Sequence, residues 1–315
     1  MSGIEGQIIS FVKLILISMV PYVLAGQGTM LSGRTGIFNV AQEGVMLVGA
    51  SVGFMVAYLA SGNLFLGILV AAVLGGVFGL ALAYFTTTLK MDQFVIGLAL
   101  FFIGVGLSTL LPKLAFGITL VPPLIPTLKN IPIPWLSQIP VLGEIFFNQN
   151  ILVYFSMLVS VFLYFFLYKT RLGLELRSVG ENPMAADSLG VNVVVMRYIT
   201  AILGGVMIGI AGVYLPMVYT GTFTADMVRG RGWISIALTF FGGWSPHMIF
   251  FGSLFFAGVE VLASRAQVSG VGIPYQFLQM LPFITTILVM MVSFKRARVP
   301  AFLGLNYDRE KRTQI

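Results

Sequence analysis

Polar side chains are scarce enough in this 315-residue chain to be weighed one at a time: 11 acids, 18 Lys and Arg, one His and no Cys. Without cysteine there is no disulfide framework, no thiolate metal site and no thiol nucleophile. The one imidazole, His247, follows Pro246 in a short turn and reads as a helix cap. The chain carries no His-Glu-x-x-His, no Asp-rich metal cluster, no Gly-x-Ser-x-Gly elbow and no Gly-x-x-x-x-Gly-Lys-[Ser/Thr] phosphate loop. Metalloprotease, serine-hydrolase and ATPase chemistry of its own is thereby excluded, and no cofactor is expected. What remains is recognition by hydrogen bonds and charge. One group is Arg34, Asn39, Gln42 and Glu43, which share a short segment with Gly26, Gly28, Gly33, Gly36 and Gly44. A second is Asp226, Arg229 and Arg231 ahead of Trp233. Gln93, Glu260 and Gln279 stand singly in apolar surroundings.

A carboxylate inside an apolar run costs at least ~2.5–3.5 kcal/mol on insertion scales unless it is paired, solvated or protonated. Two readings of Glu43 follow. Asn39 and Glu43, with Phe94 and Trp233 as aromatic neighbours, line a polar path through the chain, where amide and carboxylate groups hydrogen-bond a solute and ring faces stack on it. Alternatively, Arg34 and Glu43 form a structural ion pair closing a helix hairpin, and the aromatics merely pack. Glu43 and Glu260 are also the acids that a gradient-driven transporter would need. Arg229 and Arg231 read either as an exposed basic pair facing acids on an external protein, or as a local Asp226–Arg229 pair at a helix start.

The elements that hold these groups follow from composition. Hydrophobic residues make up 58% of the chain and charged ones 9%, against roughly 25% in an average soluble domain. So few charges cannot cover a water-soluble surface, so the solvent is lipid. Apolar spans near 8–25, 45–60, 64–85, 94–111, 151–168, 198–218, 232–243, 248–263 and 277–294 predict about nine (8–10) crossings. Such lengths satisfy their backbone as helices, so the fold class is an all-α transmembrane bundle forming one domain over 1–315. The Gly-rich stretch near 26–44 predicts a broken or re-entrant segment, because irregular backbone at membrane depth survives only against protein or a water-filled cavity. Glycines at helical spacing, Gly75–Gly79 and Gly205–Gly209, predict close backbone approach between helices.

Charge sets the orientation. Lys169, Arg171, Arg177 and Arg197 in the 169–197 loop, with Lys295, Arg296, Arg298, Arg309, Lys311 and Arg312 in the 295–315 tail, account for ten of the eighteen basic residues. Both segments belong in the cytoplasm, Lys90 with them, and the 112–150 segment belongs outside. The net charge of +7 is thus a topology signal, and a nucleic-acid partner is discounted. Pro122, Pro123, Pro126, Pro132, Pro134 and Pro140 make the external segment extended or turn-rich. In the cytoplasmic loop, Asn182 caps a short helix that starts at Pro183, runs through Ala185 and Ala186 and ends at Gly190. A helix lying at the membrane face either docks into another protein or simply turns the chain.

Three stretches carry a resemblance: Gly-Arg-Thr-Gly-Ile-Phe-Asn-Val-Ala-Gln-Glu-Gly-Val-Met at 33–46, Leu-Arg-Ser-Val-Gly-Glu-Asn-Pro-Met-Ala-Ala at 176–186 and Gly-Arg-Gly-Trp-Ile-Ser-Ile-Ala-Leu at 230–238. They resemble the permease subunits of bacterial ABC-type importers for nucleosides, which belong with the ribose, autoinducer-2 and branched-chain amino acid permeases. The likeness extends from about 25 to 295. It implies a multi-pass protein of the bacterial inner membrane that forms the path for a nucleoside or related polar solute. It further implies cytoplasmic ATPase subunits that consume ATP, a second permease, identical or related, and an extracellular or periplasmic substrate-binding protein. On this resemblance Gly180, Glu181, Asn182, Pro183, Ala185, Ala186 and Gly190 form the coupling helix seated on the ATPase.

Overall fold

A computed structural model describes residues 3–117, 123–269, 274–293 and 298–308. Pro122 and five of the tail residues used in the charge argument, Lys295, Arg296, Arg309, Lys311 and Arg312, lie outside the described residues. The described chain is a helix bundle: α1 (Gly3–Gly33), α2 (Gln42–Leu59), α3 (Leu64–Ala83), α4 (Gln93–Phe116), α5 (Leu142–Phe146), α6 (Ile151–Lys169), α7 (Arg171–Glu181), α8 (Pro183–Ser188), α9 (Val193–Leu215), α10 (Arg231–Phe241), α11 (Pro246–Val268) and α12 (Tyr275–Ser293). Eight of these, α1 to α4, α6, α9, α11 and α12, are long and apolar enough to cross a membrane. The ninth expected crossing is different. Helix α10 has 11 residues, about 16 Å at 1.5 Å per residue and roughly half of a ~30 Å hydrocarbon core. The other half of that passage is the irregular segment 221–230.

Helix α9 is the axis of the bundle, with 78% of its span buried, whereas α12 at the periphery has 11% buried. Small residues explain how the others reach it. A Cβ on Gly75 of α3 would run into the carbonyl oxygen of Gly205 of α9, and one on Gly205 would strike that of Gly75. Gly79 meets Ala201 in the same way, and Gly28 of α1 meets Gly204. In lipid, where apolar side chains gain nothing by leaving solvent, this backbone proximity maximises dispersion contacts. The expected glycine seams are therefore present. Gly28 belongs to them, whereas Gly26 faces the Ile249 side chain of α11; both sit inside a regular helix, so the break begins only after Gly33.

The bundle has two distinct ends. One carries α7, α8, Lys90, Lys169 and the chain segment 298–308; we call it the basic end. Over the other runs the proline-rich segment, whose Ile125 and Leu128 N–H groups donate to the carbonyls of Gly221 and Met217, 2.8 Å each. This segment contains a two-residue antiparallel pairing, Ile131 with Gln149 and Pro132 with Asn148, and the single-turn α5. Pro112, which the sequence suggests as the start of that segment, lies inside α4, and the helix continues to Phe116. Pro123, Pro126, Pro132, Pro134 and Pro140 all lie outside helices, as their missing N–H requires. His247 is no cap: it occupies the first turn of α11 and packs edge-on against Tyr164, ring centroids 5.5 Å apart.

Candidate functional site

Residues 34–41 are non-helical, and all but Arg34 and Phe38 are buried. Every such N–H and C=O needs a partner where water is excluded. Gly36 N–H donates to Gly33 O (2.9 Å) and Ile37 N–H to Ser32 O (3.1 Å). Phe38 N–H donates to Gln93 Oε1 (2.7 Å), and Ala41 N–H to Asn39 Oδ1 (2.9 Å). The Thr35 carbonyl accepts from Arg197 Nε (3.0 Å) and that of Gly36 from Gly304 N–H (3.0 Å). Arg197, which the sequence groups with the cytoplasmic loop, is fully buried in α9, and Gln93 is a structural bridge.

After this break α2 begins, with Glu43 in its first turn. Glu43 is 5% exposed. Its two oxygens accept from Gly230 N–H and Gly232 N–H, both at 2.7 Å. Gly230 is the N-cap of α10, in the left-handed region at φ +77, and has no side chain to cap with. Glu43 supplies that cap from another helix. The carboxylate thereby faces the positive ends of two helix dipoles, α2 and α10, which compensates part of the cost of burying it. Glu43, just after the 34–41 break, thus ties the first turn of α2 to the end of the irregular segment 221–230 and the start of α10.

The alternative Arg34–Glu43 pair does not form. Arg34 donates instead to the Trp244 carbonyl (2.8 Å) and to Tyr168 Oη (3.3 Å). The four residues expected to line one path occupy different positions. Asn39 is buried with its oxygen engaged. Trp233 packs edge-on against Phe101, centroids 5.4 Å apart, beside the contact of Phe101 with Gly44. Phe94 lies two helical turns away along α4, near the basic end, and is 56% exposed.

Arg231 also departs from expectation. It is not half of an exposed pair with Arg229; its guanidinium forms an ion pair with Glu260 of α11. Side-chain exposures of 13% and 22% put both groups largely inside the bundle. Arg231 Nη1 also donates to the carbonyls of Met227 (3.1 Å) and Val228 (3.2 Å). Tyr22 Oη of α1 donates to the second Glu260 oxygen at 2.9 Å. Arg229 alone of the two arginines is exposed, and no Asp226–Arg229 ion pair forms among the described residues. The Arg231–Glu260 pair forms part of the wall of a cavity of about 500 Å³ between α10, α11 and α12. Glu260 and Arg231 are both candidates in the sequence, but their pairing with each other, and Tyr22 beside them, is not foreseen there. The available signal was the presence of opposite charges in two apolar helices, since such charges pair with one another.

At the basic end, Thr170 caps α7 and Asn182 caps α8, the latter accepting from Ala185 N–H at 3.0 Å with Pro183 first in the helix. Gly190 follows α8 at φ +87, where a β-carbon would be strained. The motif divides into two faces. Gly180, Pro183 and Ala186 are buried; Glu181, Asn182, Ala185, Ser188, Leu189 and Gly190 are not. A Cβ on Gly180 would collide with the Arg34 carbonyl, so the hairpin rests directly on the broken segment. The segment 298–308 ties them together: Phe302 N–H donates to Gly180 O (2.9 Å) and Gly304 N–H to Gly36 O (3.0 Å). The Leu305 carbonyl accepts from Arg197 Nη2 (3.1 Å) and Gln93 Nε2 (3.3 Å), and Lys90 pairs with Asp308 at 2.9 Å.

Comparison with known proteins bears on this arrangement. Residues 11–292 match the family described as branched-chain amino acid transport system / permease component. The nucleoside ABC transporter permease protein NupC of Lactococcus lactis is 35% identical, with 94% of this chain and 96% of that protein covered. The guanosine ABC transporter permease protein NupQ of Bacillus subtilis is 33% identical over the same shares, 94% and 96%. The glucose ABC transporter permease protein TsgB13 of Haloferax volcanii is 27% identical over 94% of this chain and 79% of that protein. No solved structure matches the chain significantly.

Proposed function

The chain belongs to the branched-chain amino acid transport system / permease component family, and from that premise we propose that it is the membrane subunit of an ATP-binding-cassette importer that passes a nucleoside. It is a multi-span transport component, so its business is movement of a solute and not covalent chemistry. The observation that carries the nucleoside assignment is the 35% identity to a nucleoside permease, sustained over 94% of the chain. A sugar is the second reading, favoured by the likeness to the glucose permease.

In this reading the basic end faces the cytoplasm of a bacterial cell and the proline-rich end faces outside, as the positive-inside tendency requires. ATPase subunits dock on the exposed edge of α8, formed by Asn182, Ala185, Leu189 and Gly190, while Gly180, Pro183 and Ala186 transmit the push to the broken segment beneath. That segment leads within a few residues to Glu43, and Glu43 grips the start of α10. A displacement of α8 thus has a short, hydrogen-bonded route to the half-helix at membrane depth. Asn39 and Glu43 position α10 along the path, and Trp233 and Phe101 flank it. A second permease, identical or related, completes the pore. An external binding protein delivers the solute, with Arg229 as the exposed basic contact for it.

Co-purification with its ATPase and binding protein, followed by ATP-dependent uptake of labelled nucleosides, ribose and branched-chain amino acids in vesicles, tests the proposal. ATP-driven uptake restricted to nucleosides supports it. Failure to recruit any ATPase, or uptake that persists on a proton gradient after ATP depletion, overturns it.

A further inference from the structure

The cavity between α10, α11 and α12 is built from polar groups that bundle packing does not require. On α11, Glu260, Ser264 and Gln267 recur at spacings of four and three, so they share one helix face. On α12, Tyr275 and Gln279 do the same, and Gln279 Nε2 donates to Tyr275 Oη. Both stripes line the same void of about 500 Å³, within the 300–1,000 Å³ range typical of small-molecule sites. They run from the depth of Arg231, about 16 Å from the basic end of α10, towards the proline-rich end. Helices meeting only lipid and one another would present apolar residues there.

The charges lining the void cancel. Asp226 and Glu260 face Arg229 and Arg231, two acids against two bases. The lining therefore offers an anion or a cation no net counter-charge. Arg231 and Glu260 keep 13% and 22% of their side-chain surface accessible and line the void, with the second Glu260 oxygen already held by Tyr22. A donor beside an acceptor in the wall of a polar slot suits adjacent hydroxyl groups, each of which both donates and accepts. Ile234, Leu278 and Phe283 supply apolar wall for the opposite face of a ring.

We propose that this cavity is a selective vestibule for a neutral, polyhydroxylated solute, a nucleoside or a free sugar, with the Arg231–Glu260 pair facing the solute hydroxyls. The inference rests on the permease reading and adds to it where the solute waits and which chemistry is admitted. A phosphorylated solute would bring net negative charge into a slot whose two acids and two bases balance, and valine lacks the adjacent hydroxyl groups that the lining addresses.

The chain has no cysteine, so Ser264→Cys and Gln279→Cys each introduce a sole thiol into the slot. Whole cells carrying either variant in its complex are treated from outside with a membrane-impermeant maleimide, in the presence of millimolar adenosine, ribose, adenosine monophosphate or valine, while uptake by the wild-type complex is measured in parallel. Both thiols should react. Adenosine or ribose should slow the reaction several-fold, the more protective of the two identifying the solute, and the other two compounds should leave it unchanged. Asp226→Asn in the same background leaves the slot with net positive charge, so adenosine monophosphate should begin to protect. Unreactive thiols, protection by monophosphate equal to that by adenosine before Asp226 is changed, or no protection from a solute that the wild-type complex imports would each overturn the vestibule. If the wild-type complex imports neither nucleosides nor sugars, the permease reading fails instead.

Discussion

Replacing Glu43 separates a residue that positions the half-helix from one that merely touches solute. Its carboxylate accepts two N–H bonds at 2.7 Å, from Gly230 and Gly232. A hydrogen bond to a charged group contributes ~1.5–3 kcal/mol, and a carboxylate at a helix N-terminus adds ~0.3–1 kcal/mol. Glu43→Ala removes both bonds and strands two helix N–H groups at bilayer depth, a loss of roughly 3–6 kcal/mol. Glu43→Gln keeps one acceptor oxygen, turns an NH₂ towards the other N–H and loses the charge, so about half of that is expected, ~2–3 kcal/mol. Asn39→Ala forfeits a single bond to Ala41 N–H, ~1 kcal/mol by analogy with a lost cap. Thermal unfolding in detergent should rank the proteins wild type, Asn39→Ala, Glu43→Gln, Glu43→Ala in falling stability, and ATP-dependent uptake should fall in the same order. A residue acting only on the solute would lower uptake with melting unchanged. Glu43→Ala melting together with the wild type would refute the cap.

Other sites lead to further expectations. Gly205→Leu drives a side chain into the Gly75 backbone and should cost at least ~1–3 kcal/mol, the range for overpacking. Gly106, where a Cβ would meet nothing within 4 Å, should accept Ala; normal monodisperse yield from Gly205→Leu would remove the case for the α3–α9 seam. Arg231→Gln should destabilise by ~3–5 kcal/mol by leaving Glu260 unpaired, and adding Glu260→Gln should recover part of the loss. A double variant as impaired as the sum of its parts would mean the two do not act as a pair. Leu189→Asp, at a position 86% exposed, should abolish ATPase co-purification while shifting stability by less than ~0.5 kcal/mol; retained recruitment would exclude α8 as the docking edge.

The bundle itself was legible in the residues. Apolar runs of membrane-spanning length allow one solution, because a backbone in lipid satisfies itself within a helix. Glycine at four-residue spacing marked the α3–α9 seam, because only a missing Cβ lets two helix backbones meet. Asn182 and Pro183 announced α8 through local capping chemistry, which depends on near neighbours alone. The 26–44 stretch was legible as irregular but not resolvable: Gly28 packs against Gly204 inside a helix, whereas Gly36 lies in the break, and composition does not distinguish the two uses.

What only tertiary structure decided are the partners of the charged groups. Glu43 finds the N–H groups of Gly230 and Gly232, far along the chain, and Arg231 finds Glu260 of another helix and, through it, Tyr22 of a third. From sequence the same charges allowed an Arg34–Glu43 pair and an outward-facing Arg229–Arg231 pair, each chemically reasonable. A charge in a low-dielectric interior takes whichever compensating group the packing brings within ~3 Å. That choice belongs to the helix arrangement and is not written in local spacing. Residue types alone determined that these charges must be neutralised by something; the fold determined by what.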